Sequence, residues 1–216
     1  MKKLLIITGP QGSGNHLFSR VLSTHPEVGG WKSLLENYWV PSDLEPFADY
    51  WVNPSKLTEQ QFDGYDYWLA NVSVPFVHDG VKQVPKIIEF AKQARFLGVD
   101  VQIAIIVRDQ NINAEQQLRV RKEVTLPVAQ DYYYNTLLQS TFPVHFLDNE
   151  AFFLHKGHYL KWVSKLLNFP IDWNNPDVLK FITEDPNKKY VQHVDEYWLD
   201  KEVWFGIQSK KARGIE

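Results

Sequence analysis

The chain has 216 residues, a formal net charge of −3 at pH 7, and hydrophobic residues at 44% of its positions. This length and apolar content predict one domain with a sizeable core, spanning residues 1–216, since a second full domain would be cramped. The charge gives no general attraction to nucleic acid or to membrane lipid, so we expect neither as a partner. Cysteine is absent, which excludes disulfides and thiolate sites and fits a cytoplasmic location.

The amino terminus, residues 1–8, combines a basic start with a short apolar run. The run is too short for the core of a signal peptide, and a Gly-rich turn follows it instead of a cleavage site. No stretch of the sequence reaches transmembrane length. We therefore expect neither a leader nor a membrane anchor.

Short runs of branched apolar residues predict buried parallel strands at residues 4–8, 101–107 and 144–147, with a less regular fourth candidate at 67–74. Helical periodicity lies between them, in Val84, Ile87, Ile88, Ala91 and Ala94, and again in Phe153, Leu160, Val163 and Leu167. The alternation predicts an α/β, three-layer P-loop fold, with a central, mostly parallel sheet flanked by helices. Ligands of such sheets bind beyond the carboxyl ends of the strands.

Residues 29–66 interrupt the alternation because they are rich in Trp, Tyr, Pro and acidic residues. We interpret them as an insertion or lid. From residue 183 onward the chain is polar and aromatic, and we expect an irregular carboxyl-terminal tail.

A Gly-rich turn follows the first predicted strand, with the sequence GPQGSGNH at residues 9–16. An amphipathic helix begins directly after it. This strand, turn and helix form the context of a P-loop, in which backbone N–H groups and the helix amino end bind phosphate oxygens. The opposing interpretation is a tight turn without a ligand, because glycine also serves turns.

The turn departs from the pattern Gly-x-x-x-x-Gly-Lys-Ser/Thr at two positions. Asn15 replaces the lysine, and His16 replaces the hydroxyl residue that binds magnesium. Both losses remove groups that nucleoside triphosphate chemistry uses, so an ordinary ATPase or kinase is disfavoured. The seven histidines follow no metal-site spacing, and we expect no metal.

Residues 12–28, GSGNHLFSRVLSTHPEV, resemble the opening of P-loop sulfotransferases. Many members of that family read Pro-Arg-Ser-Gly-Thr-Thr-Leu-Leu, followed by a short helix and His-Pro-Glu/Asp-Val. Residues 103–109, IAIIVRD, resemble the family's apolar strand that ends in Arg-Asp. The resemblance implies transfer of a sulfuryl group from 3′-phosphoadenosine 5′-phosphosulfate (PAPS), without magnesium, to a hydroxyl of a small-molecule or glycan acceptor.

The resemblance also implies which residues hold the cofactor. Its 5′-phosphate side would rest on Gly12, Ser13, Gly14, Asn15 and His16. Arg108 takes the place of the arginine that grips the 3′-phosphate, and a guanidinium can bind phosphate bidentately; the simpler alternative pairs it with Asp109. Gln116 stands where a family serine contacts the same phosphate, and its amide can still donate. A family cation is missing where Gly12 stands, which weakens catalysis.

Sulfuryl transfer needs a base for the hydroxyl proton and donors for the oxygens of the transferring group. His16 at the helix mouth is the candidate donor, against the alternative of a solvent-facing histidine. The candidate bases are His78, after the strand predicted at 67–74, and Glu36, with a slight preference for His78.

Two other functions stay open. A small-molecule or nucleotide kinase with a degenerate P-loop would use Asp109 to bind a metal, and its activity would depend on magnesium. A non-catalytic phosphonucleotide-binding protein would keep the turn and lack the chemistry, which fits the two empty cationic positions.

Overall fold

A five-stranded parallel sheet organises the residues that the computed structural model describes, which are 1–37, 40–183 and 187. The strands in chain order are β1 (Lys3–Pro10), β2 (Val28–Gly29), β3 (Tyr67–Val74), β4 (Phe76–His78), β5 (Val81–Gln83), β6 (Asp100–Val107) and β7 (Val144–Asp148). The sheet order is β2–β3–β1–β6–β7, and β4 pairs with β5 as an antiparallel hairpin. The four strands predicted from sequence are confirmed as β1, β3, β6 and β7.

Helices pack on both faces of this sheet. They are α1 (Asn15–Leu22), α2 (Ser33–Glu36), α3 (Ile87–Phe96), α4 (Gln110–Arg121), α5 (Leu126–Tyr132), α6 (Asn149–Leu167) and α7 (Pro176–Lys180). A π-helical turn, Tyr133–Leu137, extends α5. Within the described ranges, no helix has both the length and the apolar composition that a membrane crossing requires.

The central strand β1 is buried on both of its faces. Leu4 and Ile6 pack into the core that α3 and α5 cover, whereas Leu5 and Ile7 pack into the core that α1 and α6 cover. Burying a side chain of this size stabilises the fold by about 2 kcal/mol. Two apolar faces explain why the strand shows no polar alternation, and the predicted three-layer α/β architecture is confirmed.

The two predicted helical stripes are confirmed, with one exception. Their other members are buried on α3 and α6, but Val84 is 41% exposed and precedes α3. Pro85 accounts for the difference, because a proline disfavours helical geometry in the residue before it. The helix therefore begins only at Ile87.

The segment interpreted as an insertion or lid, 29–66, contains α2 and four 3-10 helical turns: Ser42–Leu44, Ala48–Trp51, Pro54–Lys56 and Glu59–Phe62. Several of its large apolar side chains are core residues on the α3 side of the sheet, namely Phe47, Trp51, Leu57 and Phe62. These aromatic residues therefore contribute to the hydrophobic core. Trp39 and the tail predicted from residue 183, apart from Thr183 and Asn187, lie outside the described residues.

A buried carboxylate, Glu45, fastens this segment to the edge of β3. Glu45 is 3% exposed. Its Oε1 accepts the N–H of Asn71 at 3.0 Å, and its Oε2 accepts the backbone N–H of Phe47 at 2.9 Å and the indole N–H of Trp51 at 3.1 Å. Burial raises the pKa of Glu45 from 4.5 to about 8, and these three donors act in the opposite direction.

We predict that Glu45 makes folding stability fall as pH rises. Its folded pKa lies above its unfolded value, so its contribution is complete below about pH 4.5 and is lost as pH rises through about 8. One such group changes the free energy of unfolding by at most about 1.4 kcal/mol per pH unit. Urea unfolding of the wild type and Glu45→Gln, from about pH 5 to about pH 9, measures the difference.

Glu59→Gln, at an exposed carboxylate of the same segment, is the matched control and should run parallel to the wild type. If the curves of the wild type and Glu45→Gln also run parallel, Glu45 keeps its ordinary pKa and the prediction is wrong.

Candidate functional site

A cavity of about 540 Å³ opens where β1, β3, β6 and β7 end. Turn residues after β1, Ser73 in β3, Arg108 after β6 and Asn149 after β7 all line it. This is the edge of the sheet at which the parallel topology predicts a ligand. Among the described residues, three arginines line the cavity against one carboxylate: Arg20, Arg108 and Arg121 against Asp43.

The Gly-rich turn presents unpaired backbone amides at the start of α1. The Ser13 N–H donates to the carbonyl of Pro10 at 3.0 Å, and the Phe18 N–H donates to that of Gly14 at 3.0 Å. Four other amides of the turn have no acceptor among the described residues, and all four of their residues line the cavity: Gly12, Gly14, Asn15 and His16. Such amides, at the positive end of a helix, favour an oxyanion.

The polar side chains of the turn are used internally. Ser13 is buried, and its hydroxyl donates to Asn15 Oδ1 at 2.8 Å. Asn15 Nδ2 donates to the carbonyl of Gly9 at 3.3 Å and to the hydroxyl of Ser73 at 3.1 Å. The asparagine at the lysine position therefore shapes the turn and supplies no charge, so what the turn offers a ligand comes from its backbone.

A buried amide network supports the turn from below. Gln117 Nε2 donates to the carbonyl of Gln11 at 2.6 Å, while its Oε1 accepts the N–H of Thr125 at 2.7 Å and of Leu126 at 3.0 Å. On the other side, Asn71 Nδ2 donates to the carbonyl of Asn15 at 3.0 Å. Neither amide was predicted from the sequence, because no local pattern shows that a polar residue of a helix or strand is buried.

Gln116 lies against the turn, as its candidate role requires. Its Oε1 accepts an N–H of Arg121 at 3.3 Å. A Cβ added at Gly12 would lie 1.9 Å from the same oxygen, and Gly12 has a φ of 83°. The backbone conformation favours glycine here, and the Gln116 side chain uses the space that a Cβ would occupy.

Arg108 bridges the turn and the residue at 187. Its Nη1 donates to the carbonyl of Gly12 at 2.6 Å, its Nε donates to Asn187 Oδ1 at 3.0 Å, and its Nη2 donates to the same oxygen. Asn187 Nδ2 donates in turn to Glu150 Oε1 at 2.8 Å. Asp109 serves as the N-cap of α4 and accepts two backbone N–H groups at 2.9 Å.

His16 lines the cavity, and its imidazole Nε2 is buried without a hydrogen-bond partner among the described residues. Its ring lies 4.8 Å from that of Trp31, centroid to centroid. Burial lowers the pKa of His16 below 6.5; a hydrogen bond with the backbone of Val40 opposes the shift, and the charge of Arg121 adds to it. The imidazole is therefore neutral at neutral pH.

The other two candidates for catalysis do not line the cavity. His78, at the end of β4, lies among three carboxylates, with Nδ1 3.7 Å from Asp43 and Nε2 3.4 Å from Asp49 and 3.5 Å from Asp79. Asp43 lines the cavity, so His78 is one residue removed from it. Glu36 is exposed at the end of α2.

The structure thus brings together Gly12, Gly14, Asn15, His16, Arg108 and Gln116 around one cavity. Ser13 lies buried in the same turn. Within the part of the chain that is described, no group of three or more His, Asp or Glu side chains could hold a metal ion.

Comparison with known proteins yields a likeness in fold. No protein-family model matches the sequence, and no curated protein matches it either. Among solved structures the chain is similar to the mouse sulfotransferase SULT7A1 complexed with PAP, at 12% identity and a TM-score of 0.44. The alignment covers 84% of this chain and 62% of that one, so this chain spans less than two thirds of that protein. At this level the likeness carries no conclusion about activity.

We predict that Gly14→Ala destabilises the protein more than Gly98→Ala does. Both glycines have positive φ, 106° and 79°, but a Cβ at Gly14 would lie 2.6 Å from Asn149 Oδ1, whereas Gly98 faces open space. Backbone strain costs roughly 1 kcal/mol in both variants, and at Gly14 alone the Asn149 side chain must also move, which adds about 1 kcal/mol. Urea midpoints measure the difference, and equal losses would contradict the packing of Asn149 against the turn.

Proposed function

We propose that this protein binds PAPS and transfers its sulfuryl group to a hydroxyl of a small-molecule or glycan acceptor. One observation carries the proposal: among the described residues, four turn residues whose backbone amides have no acceptor line the same cavity as three arginines. An oxyanion there gains hydrogen bonds that the folded chain leaves unmade.

Local charge and size support a nucleotide with two phosphate positions. The whole chain is acidic, yet the described residues that line the cavity include three arginines and one aspartate. In this proposal the turn holds the 5′-phosphate side, and Arg108, with Gln116 nearby, holds the 3′-phosphate. A volume of about 540 Å³ lies within the usual range for small-molecule sites.

We assign the role of base to His16, which the sequence suggested as a donor, because it lines the cavity and the two candidate bases, His78 and Glu36, do not. In the proposed reaction the acceptor oxygen attacks sulfur, the bond from sulfur to the phosphate oxygen breaks, and the hydroxyl proton passes to the imidazole of His16. Burial lowers the pKa of His16, so the imidazole is neutral and can accept that proton. The turn amides stabilise charge on the leaving phosphate and the transferring group.

The kinase alternative finds less support in the same residues. Its metal-binding acid, Asp109, already accepts two N–H groups as a helix cap and does not line the cavity. Asn15 holds the turn together where a lysine would clamp phosphates. A non-catalytic nucleotide-binding protein would need the same site, and a labelled-sulfate transfer assay separates it from an enzyme.

We predict that Arg108→Lys loses the preference for a 3′-phosphate. Lysine keeps the charge but lacks the planar pair of donors, so affinity for adenosine 3′,5′-bisphosphate should fall roughly tenfold, with affinity for adenosine 5′-monophosphate nearly unchanged. Calorimetric titration of both nucleotides measures the ratio.

The control is Arg95→Lys, an exposed arginine on α3, which should bind like the wild type. An unchanged ratio in Arg108→Lys would sink the assignment of the 3′-phosphate to Arg108. Failure of the wild type to bind the bisphosphate at all would sink the proposed function.

We predict that His16→Gln impairs transfer while sparing nucleotide binding. Because the pKa of His16 is lowered, the wild-type transfer rate should be flat above about pH 6.5 and should fall only at lower pH, as the imidazole becomes protonated. Loss of a general base slows transfer by about 100-fold or more. Single-turnover rates measured across this pH range test the prediction, and the matched variant His78→Gln should transfer at the wild-type rate. If His78→Gln slows transfer and His16→Gln does not, His78 is the base.

A further inference from the structure

Asn149 is a buried side chain that the sequence analysis did not assign to the site. It is the first residue of α6, is 2% exposed, and lines the cavity. Its side-chain amide makes no hydrogen bond with any described residue. The four other buried asparagines do make such bonds: Asn15, Asn71, Asn113 and Asn187.

An unpaired carboxamide in such a place works against folding. Buried amides are almost always paired within the protein. The polar atoms of Asn149 are not among the fully buried, unpaired atoms of the described residues, so they open onto the cavity instead. A leucine of similar size would fill the same place without offering a polar group to the cavity. The position of Asn149 is thus better explained by a ligand than by stability, since sites that bind ligands commonly sacrifice stability.

The side chain stands directly against the phosphate turn. Its Oδ1 is the atom nearest Gly14, 2.6 Å from the position that a Cβ would occupy there. The amide nitrogen is the more distant end of the group, and it can donate to a ligand in the cavity. The start of α6 adds the backbone amide of Glu150, which has no acceptor among the described residues. Two helix starts, of α1 and α6, therefore meet at the turn.

We infer that Asn149 is a direct ligand contact, whose amide donates to an oxyanion oxygen of the nucleotide bound at the turn. It supplies a neutral donor to a phosphate turn in which asparagine has replaced lysine. The identity of the nucleotide rests on the proposed function. The role of Asn149 rests on its burial, on its lack of a hydrogen-bond partner among the described residues and on its place beside the turn.

The test combines stability and affinity in one pair of variants. Asn149→Leu removes a buried, unpaired amide, whereas Asn113→Leu removes a buried amide that donates to the carbonyl of Gln11 and accepts from Gln117. Without ligand, Asn149→Leu should melt at or above the wild-type temperature, and Asn113→Leu should melt below it. Affinity of Asn149→Leu for adenosine 3′,5′-bisphosphate should fall roughly tenfold or more.

Asn149→Asp provides a second variant of the same shape that replaces the donor by an acceptor, and it should bind the bisphosphate more weakly still. Inorganic pyrophosphate serves as a second probe, which lacks the nucleoside. If the wild type binds the bisphosphate and both variants bind it equally well, the inference about Asn149 is overturned and the proposed function stands.

If the wild type binds pyrophosphate but not the bisphosphate, and Asn149→Leu weakens pyrophosphate binding, the proposed function is overturned and Asn149 stands as an oxyanion contact. If neither probe binds the wild type, both are overturned. A melting temperature of Asn149→Leu well below that of the wild type, with affinity retained, would show that Asn149 is structural.

Discussion

The site depends on one constraint: the backbone of the Gly-rich turn must keep its conformation at the start of α1, because in the proposed function its amides stand in for the missing lysine. Three buried side chains impose this arrangement. The side-chain amide of Gln117 donates to the carbonyl of Gln11, and that of Asn71 donates to the carbonyl of Asn15. The side-chain amide of Asn15 donates to the carbonyl of Gly9. With their carbonyls engaged by the protein, these peptide groups cannot easily flip and turn oxygen toward an incoming anion.

The sequence predicted the features that follow from local patterns. Runs of branched residues located four strands, and glycine spacing located the turn, because β propensity and positive φ are properties of short segments. Contacts between distant residues left no such trace. Glu45 looks like any acid of a polar loop, and Gln117 and Asn149 look like solvent-exposed amides, although tertiary packing buries all three.

Prediction of the catalytic residues was limited for the same reason, because contacts between distant residues leave no local pattern in the sequence. Topology correctly indicated that the strand ends gather at one edge, but it does not say which side chain occupies the space between them. His78 follows β3 by only a few residues, yet Asp43, from the segment 29–66, stands between it and the cavity. That segment has no regular pattern, so its path could not be anticipated.

The contact of Arg108 with Asn187 has a consequence for selectivity. One carboxamide oxygen takes two of the guanidinium N–H groups, the same fork that a phosphate would engage. In the proposed function, the 3′-phosphate must displace this amide oxygen from Arg108. A doubly charged phosphate is a much stronger acceptor than an amide and wins this exchange, whereas a hydroxyl or a carbonyl gains nothing by it. In the proposed function, the amide oxygen of Asn187 would thus favour a phosphate over weakly charged competitors at Arg108.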